Sequence, residues 1–234
     1  MIRSGTGFYI YYNAYNVATN KLYAGDVDNH TLKLVSDGIL TDPLNSPEEI
    51  AAGSYRIFIE ALENIGVKSF CLGGISSTQD IVIVPRLVIT DLLLPGSSFV
   101  AYYTAWNNAL NLPKTGDTGN HTITISNDSV SGAATNAPSE ISAVSLPGIS
   151  KITLTDAEGT GRSITVLGSS STDDTNIIST EYILIDIDYP AEANVKEGID
   201  YAEGTLTGTL ESGLLLPLEV VDITEEIETV IIDD

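Results

Sequence analysis

The 234-residue chain has a single cysteine, Cys71, which excludes an intrachain disulfide and any zinc site built from thiolates. Two histidines leave most catalytic vocabularies unrepresented. Ten lysines and arginines stand against 32 aspartates and glutamates, a net charge of −22. Affinity for a phosphate backbone needs clustered Lys and Arg. Here the bases are scattered, so neither nucleic acid nor an anionic membrane is an expected partner. No apolar run approaches the roughly 20 residues of a membrane helix. Residues 1–7 lack the apolar core of a signal peptide, so no cleaved leader is expected. What is there is a globular, turn-rich composition, 43% hydrophobic with 20 glycines and 9 prolines, which is neither disordered nor collagenous.

Charge divides the chain. Residues 186–234 carry fourteen acids against one base, Lys196, which is more than half of the net charge and marks a separate acidic C-terminal segment. Before it lies an internal repeat. Residues 11–50 and 102–141 are identical at 16 of 40 positions at a constant offset of 91, including Tyr11/Tyr102, Tyr12/Tyr103, Asp26/Asp117, His30/His121 and Glu49/Glu140. Four residues are inserted in the second copy, then one drops out, and Ser76-Ser77-Thr78 faces Ser170-Ser171-Thr172. A tandem duplication of a module of 85–90 residues follows.

Each copy reads as all-β. Short β-branched runs (Thr31–Val35, Tyr55–Ile59, Ile81–Val84 and Leu87–Ile89, then Thr122–Ile125, Lys151–Leu154, Ser163–Val166 and Tyr182–Ile185) lie between Gly, Asn, Asp and Pro clusters. Strands every eight to twelve residues predict two small antiparallel immunoglobulin-like β-sandwiches. Their bounds are 1–94 and 95–189, followed by an acidic segment over 190–234. Ser46 to Ala52, with a Ser cap, Pro47 at N1 and Glu48 and Glu49 in the first turn, predicts one or two turns of helix.

The shared signatures are Gly-Asp…Asn-His-Thr, an Asp-Gly or Asp-Ser turn, Asn-x-Pro-x-Glu-Ile, Gly-x-Tyr-Arg-Ile or Gly-x-Ser-Lys-Ile, and Gly-x-Ser-Ser-Thr. In this order they resemble the β-sandwich modules that recur in structural proteins of tailed bacteriophages. Ala193–Tyr201 and Thr207–Leu210 resemble a short element found beside such modules. The resemblance covers about 200 residues and implies a virion component, on the head, the neck or the tail.

Candidate chemistry is sparse. His30 and His121 share one repeat position, readable as a metal or pH-sensing site or as an Asx turn entering a strand. One histidine per copy with no second nitrogen ligand nearby favours the turn. Asp26, Asp28 and Asp117 are the acids that could begin a calcium loop, but Asp28 becomes Gly119 in the second copy and no EF-hand spacing follows. Glu48 and Glu49 are adjacent and diverge, unlike a glycosidase dyad. No nucleophile elbow surrounds the serines. Neither an enzyme nor a cofactor is expected. The cluster Phe8, Tyr9, Tyr11, Tyr12 and Tyr15 could stack on sugar rings or alternate into a core; retention of Tyr102, Tyr103 and Trp106 favours packing. Cys71, aligned with Val166, reads as a buried thiol. In the acidic segment, Leu214, Leu215, Leu216, Val220, Val221, Ile223, Ile231 and Ile232 are too few to close a core alone and are the expected partner-binding residues.

The expectation is a non-enzymatic structural protein of a tailed-phage virion (capsid decoration or head fibre, or a neck or tail accessory). It would be a homo-oligomer acting through assembly with other virion proteins. The alternative is a receptor- or glycan-binding module on a virion or bacterial surface.

Overall fold

The computed structural model describes residues 2–90 and 92–184, together with the backbone of residues 200–201 and 206–207. The described residues up to 184 fall in one compact unit; the two-residue strands Asp200–Tyr201 and Leu206–Thr207 pair as a hairpin in a second. The eight partner-binding candidates from Leu214 to Ile232 lie outside the described residues.

The first repeat contributes β1 (Phe8–Asn16), β2 (Lys21–Leu22), β3 (His30–Ser36), β4 (Ile39–Thr41), β5 (Glu48–Ala51), β6 (Ser54–Ile59), β7 (Ser69–Ser76), β8 (Ile81–Val84) and β9 (Arg86–Ile89). The second contributes β10 (Phe99–Asn107), β11 (Leu112–Pro113), β12 (His121–Asn127), β13 (Val130–Ala133), β14 (Ser139–Ser142), β15 (Leu146–Leu154), β16 (Ser163–Ser170), β17 (Thr175–Ile178) and β18 (Thr180–Ile183). Strand for strand the two sets correspond, and His30 and His121 both open the third strand of their set. The described residues are all-β, with every strand pairing antiparallel apart from an isolated parallel bridge between Ile2 and Thr90, and the curled sheets are consistent with a β-sandwich. In the second repeat two sheets are separate, β11-β10-β15-β14 with β17 beside β10, and β13-β12-β16-β18. In the first, one pairing between β7 and β8, Ile75 with Val82, joins the equivalent layers into a nine-stranded sheet.

Alternation explains what is inside. Along β1, Phe8, Ile10, Tyr12 and Ala14 are buried, and they meet Ile57 and Ile59 of β6 and Phe70 and Leu72 of β7. Phe99, Ala101, Tyr103 and Ala105 of β10 do the same against Ile152, Ile164 and Val166. Truncating a fully enclosed residue such as Ile57 should cost about 2–5 kcal/mol.

Two sequence expectations change. Glu48–Ala51 is a strand, not a helix: it pairs with β6 at Glu48/Arg56 and Glu49/Tyr55. The proline and acids that suit a helix start are overridden because β6 offers an edge. Glu49 also accepts from the backbone N–H groups of Gly25 (2.9 Å) and Gly53 (3.3 Å), which an α-helical turn would break. The partner of Cys71 in the second repeat is Thr165, not Val166. Asp37 accepts from the N–H groups of Lys68 and Ser69, and Asp128 from those of Arg162 and Ser163. The lost residue therefore falls before Lys68, and Cys71 opposite Val35 matches Thr165 opposite Ser126.

Candidate functional site

A buried polar network is built twice. A single 3-10 turn, Val27–Asn29, brings Asp26 under His30 four residues on, and Thr118–Asn120 does the same for Asp117 and His121. Asp26 accepts from Ser76 Oγ (2.6 Å), Thr78 Oγ1 (2.5 Å) and Asn29 Nδ2 (2.9 Å). Asp117 accepts from Ser170 Oγ (2.6 Å), Thr172 Oγ1 (2.5 Å) and Asn120 Nδ2 (2.9 Å). On the far side, His30 Nδ1 lies 2.9 Å from the Tyr12 hydroxyl, and His121 Nδ1 lies 2.8 Å from that of Tyr103. The copies differ at the middle link. His121 Nε2 is hydrogen-bonded to Asp117 Oδ2 at 3.1 Å, whereas His30 Nε2 is 3.2 Å from Asp26 Oδ2 but off the line of a hydrogen bond.

Burial and partners set the charges. Burial alone would raise the pKa of Asp26, yet Ser76, Thr78, Asn29 and His30 together hold it below the ordinary value. Asp117 is held lower in the same way, with His121 among its donors. Burial lowers the pKa of His30 against the opposing pull of Asp26. Burial pushes the Tyr103 hydroxyl up to about 12 and that of Tyr12 higher still. Ser76 and Ser170 donate to carboxylates rather than to imidazoles, so the arrangement is not a Ser-His-Asp relay. Each network ties the entrance of the third strand of its repeat to the end of the seventh, to the loop that follows it and to the first strand.

Asp28, the third calcium candidate, is exposed in the turn while Asp26 and Asp117 point inward with their oxygens taken, so the three are not brought together. No cluster of three or more His, Cys, Asp or Glu suited to a metal ion occurs among the described residues.

The aromatic cluster splits. Tyr12 belongs to the core, but Tyr9 and Tyr11 stand on the outer face of β1, 43% and 50% exposed. Phe58 lies beside Tyr9 with ring centroids 5.1 Å apart. The Arg56 guanidinium sits 4.5 Å above the Tyr9 ring, and its Nε donates to Glu48 at 2.5 Å.

In the second repeat the same face is covered. Tyr102, the counterpart of Tyr11, is fully buried against the first repeat in a cluster with Val35, Cys71, Leu146 and Ile149. Its hydroxyl accepts from Gly38 N–H at 2.8 Å, and Lys151 Nζ donates to Gly38 O at 2.8 Å. Ser69 Oγ donates to Val100 O at 2.7 Å. Leu146 and Ile149 enter a hollow that exists because residue 73 is glycine: a Cβ there would lie 2.7 and 2.9 Å from their methyl groups. Cys71 beneath them is enclosed, and burial pushes its thiol up to about 12. Beside it a mostly apolar cavity of about 190 Å³ is lined by residues including Pro85, Tyr102, Trp106 and Ile178. Sequence reasoning missed this contact, because its apolar part is built where the copies diverge. It also missed the Asp–Ser/Thr links, although both ends of each link persist in both copies. No family model matches the chain, and no curated protein matches it.

Proposed function

We propose that this chain is a non-enzymatic structural protein of a tailed-phage virion, built of two immunoglobulin-like sandwiches and an acidic C-terminal assembly segment. Head decoration or head fibre comes first, with neck or tail accessory next. The observation that carries the reading is the docking of one repeat on the other by a sheet face, closed by an apolar cluster and by Tyr102 and Lys151 on Gly38. Such a chain is suited to presenting stacked β modules rather than to turning over a substrate. The buried Asp–His–Tyr networks fit the same role, since Tyr12 and Tyr103 are 1% exposed and hold strands together. The sequence resemblance supplies the setting. Antibody labelling of purified particles in the electron microscope should decorate one fixed surface; a protein found free of particles after infection would overturn the virion assignment.

Tyr9 and Tyr11 favour the second reading, a glycan-binding module, because they are aromatic rings outside the core. Arg56 lies over one face of Tyr9, where a sugar ring would stack, and so counts against it. A glycan array separates the two: an assembly protein binds nothing on it, and specific binding lost on Tyr11→Ala would favour the module.

A further inference from the structure

The contact between the repeats has a donor side and an acceptor side, and the duplication copies both. Tyr102, whose hydroxyl accepts from Gly38 N–H, and Lys151, which donates to Gly38 O, make up the inserting, or donor, side. They are cross-strand partners on β10 and β15; Tyr11 and Arg56 are cross-strand partners at the same register on β1 and β6. The acceptor turn, Asp37-Gly38, has left-handed φ values of 45° and 85°. Asp128-Ser129 repeats it at 45° and 76°, with the same aspartate capping of the facing strand. Ser163 stands where Ser69 donates to Val100. Among the described residues each side is used once, and each has an exposed copy: Tyr11 is 50% exposed, and Asp128 and Ser129 are exposed.

We propose that copies of this chain associate head to tail, the Tyr11–Arg56 face of one copy seating on the Asp128-Ser129 turn of the next in the pose that the second repeat takes on the first. The donated contacts carry over in kind. Ser129 N–H replaces Gly38 N–H, Arg56 replaces Lys151, and Ser163 Oγ replaces Ser69 Oγ. Ser163 now donates to Glu181 and Arg56 to Glu48, so both exchange partners on docking.

The apolar parts change together. The donor face of the first repeat lacks the Leu146 and Ile149 projection, since the stretch from Ile50 to Ser54 is four residues shorter than that from Ile141 to Ile149 and Ser54 stands at the register of Ile149. Tyr9 and Phe58 stand at the registers of Val100 and Thr153. The acceptor face of the second repeat lacks the hollow, since Leu167 stands at the register of Gly73. A face without the projection meets a face without the hole. Ser126 and Thr165 replace Val35 and Cys71, so the contact between copies is more polar than the one within the chain and reversible. Donor and acceptor surfaces differ, which makes the contact heterologous, able to propagate rather than stop at a pair. The inference supplies the self-association part of the assembly reading; its failure would leave attachment to a particle untouched.

Sedimentation velocity on the full chain up to about 1 mM, in about 0.5 M NaCl to screen the net charge, should show the mean mass rising beyond a dimer. Tyr11→Ala with Arg56→Ala removes the donor side and should weaken association at least about tenfold. Thr165→Arg obstructs the acceptor side and should do the same. Circular dichroism and melting temperature establish that both variants are folded. Mixing the two should restore association, halted at one heterodimer, since each retains the side the other lacks. A wild-type chain that stays monomeric, association unchanged in both variants, or a mixture that forms no heterodimer overturns the proposal. So does a monomer that binds a glycan through Tyr11.

Discussion

Replacing Asp26 by alanine strips the acceptor from two hydroxyls and an amide at once, leaves them in a buried site, and removes the carboxylate beside the His30 imidazole. Unfolding in urea should show a loss of about 2–4 kcal/mol with an unchanged m-value, and Asp117→Ala should behave alike. Acid acts on the same groups, with signs that follow from the shifts. Both aspartates have folded pKa values below their unfolded ones, so the stability they contribute is present above pH 4 and lost as pH falls through the folded values. His30 is also depressed, so the unfolded chain takes its proton first, and stability declines as pH drops below 6.5. The midpoint of urea unfolding should therefore begin to fall near pH 6.5, before the carboxylates titrate. His30→Gln should delay that fall toward pH 4. An unchanged pH profile in His30→Gln would show that the imidazole is not taking up the proton.

At the scale of strands and turns, Gly73 connects sequence to docking. Gly73→Leu would drive a side chain into Leu146 and Ile149, and overpacking of this kind costs about 1–3 kcal/mol. Cys71 lies under the contact and provides the readout: its reaction with a thiol reagent should be slow in the native chain and faster in Gly73→Leu if the repeats part. Tyr102→Phe, which leaves Gly38 N–H without its acceptor, should cost about 1 kcal/mol and speed labelling less. The central strands were legible because alternation reports which face is buried, as in β1 and β6. β5 was not, because Ser46, Pro47 and the two glutamates carry a local helix signal that a waiting sheet edge outweighs. The Asp26–Ser76 and Asp26–Thr78 bonds span 50 and 52 residues. Periodicity has no access to such links, and the persistence of Asp, Ser and Thr in both copies was the available sign.

For the whole molecule, the duplication was visible as a fixed offset, but the contact between its halves was not. A repeat shows itself where the copies agree, and the apolar part of the contact between them forms where they differ: Ile149 projects where Ser54 does not, and Gly73 leaves a hollow where Leu167 does not. Charge segregates on the same scale, with residues 186–234 holding thirteen of the net 22 negative charges, which repel one another in an isolated unit. A chain ending at Tyr189 keeps every strand of both repeats and Leu184, the last buried core residue described, while losing twelve acids and one base. It should unfold cooperatively with a melting temperature within a few degrees of the full chain. Head-to-tail association should persist, and strengthen at low salt as the repulsion falls. Attachment to particles should be lost, since Leu214, Leu215, Leu216, Val220, Val221, Ile223, Ile231 and Ile232 are gone. Co-sedimentation with particles lacking the protein measures that. If the shortened chain attaches as well as the full one, the acidic segment is not the attachment element and the sheet faces of the repeats take its place; if it unfolds, the two units do not fold independently.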